Sequence, residues 1–274
     1  MGQGSERYSR NTALFGVAGQ EKIQASKVAI CGLGGLGFHV AQQLAYLGVG
    51  ELSLLDFDIV TALSLNRMVG ANDADINTKK TTVAGRVIRQ ANPDADVMEI
   101  DGKVESTDAK LAVERCDVVF GCLDKDIHRL TLLDLAVRHA KPFFDLATDT
   151  GGEGDGLWYG GRVVLSRQGG CLLCRDILDQ QSIVRDRMTP DQLDAHRRIY
   201  GVEAQDLGET GPAVVSINGV VASLGVTEFM VETTGLRPAV PHLTYRGDWG
   251  IVTNQRDEPK PGCYYCTGLW GVDL

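Results

Sequence analysis

The chain has 274 residues, 43% of them apolar and 23% charged, enough to bury a substantial core as one large or two small domains. A net charge of -9 and the lack of any Lys/Arg cluster argue against a nucleic-acid partner, because phosphate backbones are held mainly by clustered cations. With no charged-then-apolar leader and no apolar stretch approaching the ~20 residues of a membrane span, the expectation is a cytoplasmic enzyme with no membrane partner.

Residues 1–25 are polar. Arg7-Tyr8-Ser9-Arg10 precedes either two short helices broken at Gly16 and Gly19 or a surface arm. An apolar run at 28–31 predicts the first strand, which ends in Gly32, Gly34, Gly35 and Gly37 before a helical pattern begins over 38–47. A strand that stops there leaves the amides of the next helix pointing into the turn, which favours a phosphate. Gly32, Gly34 and Gly37 fit the dinucleotide fingerprint, and Asp56 follows at roughly the 20 residues expected of a ribose-binding acid. The motif names a nucleotide but no chemistry. A second strand over 51–56 carries Asp56 and Asp58 at its carboxyl end, where open parallel sheets bind ligands.

Val83, Val87 and Ile88 give 79–92 a helical period, closed by Pro93. A strand over 96–100, a helix over 108–115, a strand over 118–122 with Asp124 just beyond, a helix over 125–140 and a strand over 142–146 follow. This alternation predicts an α/β, Rossmann-like fold with a mostly parallel sheet and flanking helices. After residue 148 the pattern changes. Gly151, Gly152, Gly154, Gly156, Gly160 and Gly161 read as a loop, and a strand over 162–166 leads to Cys171-Leu172-Leu173-Cys174. Residues 175–211, rich in Asp, Arg and Gln, read as a solvated crossover holding one helix after Pro190. A buried helix over 212–234 is stopped by Gly235, and strands at 243–245 and 251–253 precede Cys263-Tyr264-Tyr265-Cys266. The chain is thus expected to be one domain over 1–274. Its nucleotide-binding half is 1–148, and a zinc-binding, substrate-facing half is 149–274.

Two constellations carry chemistry. Cys171/Cys174 and Cys263/Cys266, four of seven cysteines, can place four thiolates on one ion, a closed tetrahedral site suited to structural zinc that clamps the C-terminal part. Separate redox pairs fit less well, because neither pair opens a helix after a first strand. The second constellation is Asp56-x-Asp58, Leu65-Asn66-Arg67, Lys80 and Asp124. Adenylating a carboxylate requires ATP and magnesium to be held and the charge of a pentavalent transition state to be neutralised. Arg67 and Lys80 can supply positive charge, Asp124 a magnesium ligand, and Asp56 a grip on ribose. Singly, each has a duller role: a solvated cation, or for Asp124 a helix N-cap.

Together with Arg7-Tyr8-Ser9-Arg10 and Cys122-Leu123-Asp124, these motifs resemble the ThiF/MoeB/HesA adenylyltransferases and the adenylation domain of ubiquitin-activating enzymes, in order and near the same spacing from Arg7 to Cys266. The resemblance implies that ATP activates the C-terminal carboxylate of a ubiquitin-like or sulfur-carrier protein as an acyl adenylate. It implies that Gly35 and Leu123 meet the nucleotide and that Ser64, Asn66, Arg67 and Lys80 face the phosphates. It also implies magnesium on Asp124 and Arg10 reaching into the partner's site of a homodimer. There are two departures. Ser64 stands where the family often has asparagine, and no cysteine lies between Cys174 and Cys263, where many relatives keep a crossover cysteine for a covalent relay. Cys31, Cys116 and Cys122 read as core or helix-end residues, so the adenylate is expected to pass directly to an external sulfur donor, a conjugating enzyme's cysteine or an amine. The alternatives are adenylation of a short peptide in natural-product biosynthesis, a nicotinamide-dependent oxidoreductase, and a non-catalytic binding protein.

Overall fold

The computed structural model describes residues 6–189, 192, 213–256 and 258–272. The first strand, β1 (Lys27–Cys31), buries every residue after Lys27, so it reads as an unbroken apolar run rather than an alternating one. It lies between β2 (Glu51–Asp56) and β4 (Val118–Gly121). With β3 (Asp96–Asp101) and β5 (Phe143–Gly151) these strands form the parallel part of the sheet. β6 (Trp158–Ser166), β7 (His242–Arg246) and β8 (Ile251–Asn254) extend it antiparallel, in the order β3-β2-β1-β4-β5-β6-β7-β8. The chain therefore winds outward from β1 to β3 and then crosses to β4, so a crevice opens between the ends of β1 and β4. Ligands of open α/β sheets bind at such a reversal.

Helices cover the sheet. They are α1 (Ser9–Ala25), α2 (Gly35–Leu47), α3 (Lys80–Ala91), α4 (Thr107–Arg115), α5 (Asp126–Arg138), α6 (Gln180–Asp186) and α7 (Val215–Thr234). One core joins the sheet to α2, α3 and α7 through residues such as Ile30, Phe38, Leu44, Leu54, Val83 and Phe229. Within it Phe120 and Phe144 stack at 5.1 Å. A second core joins the opposite face to α4 and α5 through Leu132, Leu133, Phe143 and Val164, and takes in Cys171, Cys174 and Cys266.

Several expectations change. α1 is helical on both sides of Gly16 (φ 74°), but Gly19 interrupts nothing. α1 is docked rather than a free arm, with Tyr8, Gly19, Gln20 and Ile23 buried and Gln20 Nε2 donating to the Leu47 carbonyl at 2.9 Å. α2 starts at Gly35, so Gly35 and Gly37 already belong to its first turn, with Gly32 and Gly34 ahead of it. The expected glycine loop is confined to 152–157, with Gly152, Gly154 and Gly156, whereas Gly151, Gly160 and Gly161 lie in strands, because β5 and β6 pair from Phe143↔Ser166 to Gly151↔Trp158. By length and composition α7 is apolar enough to cross a membrane, which the sequence pattern did not suggest. It packs against β5, β6, α1 and α2, and it buries Asn218 and Glu228, as a core helix does. The helix expected after Pro190 and most of the crossover lie outside the described residues.

Candidate active site

A cleft of about 860 Å³ opens at the carboxyl ends of β1, β2, β4 and β5. Its floor is the glycine turn. Gly32 has φ 89°, and a β-carbon there would lie 2.5 Å from the Cys122 carbonyl oxygen. Gly37 lies beneath the turn, where a β-carbon would meet the Gly32 oxygen at 1.8 Å. Gly34 faces open space and caps α2 without a side chain, leaving the first amides of that helix free for an anion.

Asp56, only 8% exposed, ends β2 beside this turn. Its Oδ2 accepts from the Leu33 amide at 2.6 Å and its Oδ1 from the Asp58 amide at 2.8 Å. Burial raises its pKa against the opposing pull of Lys80 and those two amides. Lys80 opens α3, with Nζ 2.7 Å from Asp58 Oδ2 and 4.0 Å from Asp56 Oδ1. Arg67 projects from the β2–α3 connection, where Nη1 donates to the Leu63 carbonyl at 2.8 Å and the side-chain carbons pass close to Gly35. The turn before it is stiffened by Thr61 and Ser64, whose Oγ accepts from the Thr61 amide at 3.2 Å.

Leu123 and Asp124 form the opposite wall. Asp124 is exposed to the cleft and is not an N-cap, since Lys125 holds that position on α5. Arg129 fixes the loop: Nε and Nη2 both donate to the Leu123 carbonyl, at 3.0 and 2.7 Å, while Nη1 donates to Asp126 Oδ1 at 3.0 Å. Behind it Asp145, fully buried on β5, stands 3.5 Å from Arg129 Nε and 3.7 Å from Arg162 Nη2.

The cleft therefore gathers Gly32, Gly34, Gly35, Asp56, Asp58, Ser64, Arg67, Lys80, Leu123 and Asp124. Asn66 is exposed and does not line it, nor does Gly37, and Arg10 sits exposed on α1 away from it. The sequence pattern gave no notice of Lys103, His128, Arg129, Thr148 or Asn218, which also line the cleft. Asn218 left a faint signal as a lone amide inside an apolar helical run.

The four C-x-x-C sulfurs lie within 4.8 Å of one another, with Cys171–Cys263 and Cys174–Cys266 each 3.8 Å apart. A tetrahedron with metal–sulfur bonds of about 2.3 Å has edges of roughly 3.8 Å, so the donor set and spacing fit one ion with no position left for substrate. The remaining thiols, Cys31, Cys116 and Cys122, lie outside this cluster. Burial pushes all three up, Cys116 to about 12.

A phosphate turn at the sheet's switch point, with Arg67, Lys80, Asp56, Asp58 and Asp124 around it and a four-thiol cluster in the second core, defines a nucleotide-binding α/β protein. The chain matches the ThiF family over residues 8–265 and belongs to it. It is 28% identical over 271 residues to the sulfur carrier protein ThiS adenylyltransferase of Escherichia coli, covering 96% of this chain and 95% of that protein. Over 137 residues it is 39% identical to the molybdopterin-synthase adenylyltransferase of Haemophilus influenzae, a match spanning 49% of this chain and only 56% of that protein's length. Among solved structures, E. coli MccB with MccA-N7isoASN shares the fold at a TM-score of 0.73 and 21% identity, covering 95% of this chain and 74% of that one.

Proposed function

We propose that the protein is an ATP-dependent adenylyltransferase that activates the C-terminal carboxylate of a sulfur-carrier or ubiquitin-like protein. A carboxylate oxygen attacks the α-phosphorus, the bond to the bridging oxygen breaks, and pyrophosphate leaves with that electron pair. The observation that carries this reading is the convergence of Arg67 and Lys80 on the phosphate turn, opposite Asp124, in one cleft. Two cations beside an anion turn stabilise charge that grows in the transition state. Asp56 accepts from the ribose, Asp124 would hold a magnesium ion whose charge offsets that of the polyphosphate, and the four thiolates would hold zinc as a structural clamp. The names of the two relatives above, one covered almost end to end, support the sulfur-carrier class of substrate.

With no cysteine between Cys174 and Cys263, and with the pKa of the half-buried Cys122 raised at the edge of the cleft, the adenylate passes directly to an external sulfur donor, a partner cysteine or an amine. The same absence suits a short peptide as the activated substrate, which stands as the second reading. The active form is a cytoplasmic homodimer in which Arg10, exposed on α1, completes the partner's site. ATP–pyrophosphate exchange tests this directly. Exchange should appear only with a diglycine-ended carrier protein and fall about 100-fold or more in Arg67→Ala and Lys80→Ala. Arg10→Ala should lose exchange while still binding ATP. Exchange driven by a short peptide alone would establish the second reading, and no exchange with either would remove both.

A further inference from the structure

Asn218 lies in the first turn of α7, directly over the phosphate turn. A β-carbon built on Gly35 would stand 2.4 Å from Asn218 Nδ2 and 3.0 Å from the Arg67 side chain. The residue is 2% exposed yet borders the cleft. Its Oδ1 accepts from Thr148 Oγ1 on β5 at 3.3 Å, which turns the oxygen toward the sheet and the NH2 toward Gly35. Among the described residues no acceptor pairs with that NH2. The NH2 is a donor on the cleft wall that the protein itself does not use, so the position is suited to a bound acceptor. The species that a helix N-terminus at this point attracts is an anion.

We propose that Asn218 is a further catalytic residue: its Nδ2 donates to a phosphate-chain oxygen of the nucleotide at the Gly34–Gly35 turn, and Thr148 is the positioning residue that aims it. The assignment rests on the adenylation reading of the cleft. Arg67 and Lys80 supply charge from long side chains, whereas Asn218 supplies a neutral donor whose direction is set by a helix and a hydrogen bond before the nucleotide arrives. Such a donor needs no reorganisation when it meets the charge. Because α7 belongs to the C-terminal half, this contact also ties that half to the nucleotide.

The test is titration of the protein with MgATP and, separately, with adenosine, which lacks the phosphates. Asn218→Asp keeps the shape and replaces the donor with a charge, and Asn218→Ala removes it. Both should weaken ATP binding about tenfold or more, the worth of a hydrogen bond to a charged group, and change adenosine binding by less than about twofold. Thr148→Val should weaken ATP about threefold, as expected for a misdirected neutral hydrogen bond, again sparing adenosine. Unchanged ATP affinity in the Asn218 variants would overturn the assignment. So would equal losses for ATP and adenosine, which would mark a packing role. Should Asn218→Ala fail to fold, the near-isosteric Asn218→Asp and Thr148→Val decide the question. A wild-type protein that binds no ATP overturns the adenylation reading itself, a result distinct from either outcome in the variants.

Discussion

Asp56 carries the most exacting single position in the cleft. Its carboxylate is buried and satisfied by two backbone amides, so the β2 end and the glycine turn are held in register by one side chain. Burial raises its pKa above the usual aspartate value, and the ribose hydroxyls of a bound nucleotide would donate more strongly to the ionised form than to the neutral acid. Above the raised pKa the carboxylate is present and ATP binds; as pH falls through it the acceptor is neutralised. ATP affinity of the wild type should therefore weaken on acidification at a higher pH than an ordinary aspartate would give. Asp56→Asn should bind weakly and show no such inflection. Calorimetric titration between pH 4 and 7, with Asp124→Asn as a control for the magnesium contribution, would show the difference. An unchanged inflection in Asp56→Asn would assign the acid limb to another group. This residue was legible because its distance from the glycines is fixed by one helix and one strand. Asn218 was not, since nothing local in a run of valines says that its amide meets a turn nearly two hundred residues earlier.

At the level of elements, the β4–α5 connection depends on a buried charge cluster rather than on its own backbone. Arg129 clamps the Leu123 carbonyl, and through it the position of Asp124, while Asp126 accepts from the Asp179 amide at 2.8 Å and so attaches the start of the crossover. Asp145 neutralises Arg129 and Arg162 from beneath. Removing one member of a buried ionic group leaves the others uncompensated, which costs more than the group contributes when intact. Asp145→Ala should lower stability by about 3–5 kcal/mol in urea unfolding. It should also reduce nucleotide affinity by freeing the Asp124 loop. A change of less than about 1 kcal/mol would fit a water-filled, screened pair instead. The alternation of strands and helices up to β5 was readable because each element has its own period. The β5–β6 hairpin was not, because its glycines serve close packing. A β-carbon on Gly160 would lie 1.9 Å from the Tyr245 carbonyl oxygen and one on Gly161 2.4 Å from that of Ala147, so residues that usually mark turns here admit neighbouring strands.

Across the whole molecule the four-thiol cluster does what the sheet cannot. β8 ends at Asn254, and the last described turn, around Cys266, adds no strand to the sheet. It is fastened instead where Cys171 and Cys174 follow β6, packed among Leu178, Ile183 and Leu269. The spacing of the C-x-x-C pairs announced the donor set in the sequence, but their meeting depends on the fold bringing β6 and the tail together. Four thiolates bound to a divalent ion leave one net charge of minus two in a largely apolar setting, so metal removal should both unfasten the tail and expose thiols that repel one another once ionised. Elemental analysis of protein purified without chelator should find one zinc per chain. Stripping it should lower stability by at least about 2.7 kcal/mol relative to protein at metal 100-fold above its Kd. The segment around Cys263 and Cys266 should then become the first site of proteolysis, and Cys266→Ser should reproduce both effects at any metal concentration. Because the cluster lies in the second core and none of its thiols borders the nucleotide cleft, metal-stripped protein that remains folded should still bind MgATP. Loss of ATP binding in step with metal release, without unfolding, would instead mean that the ion acts on the site and not only on the tail.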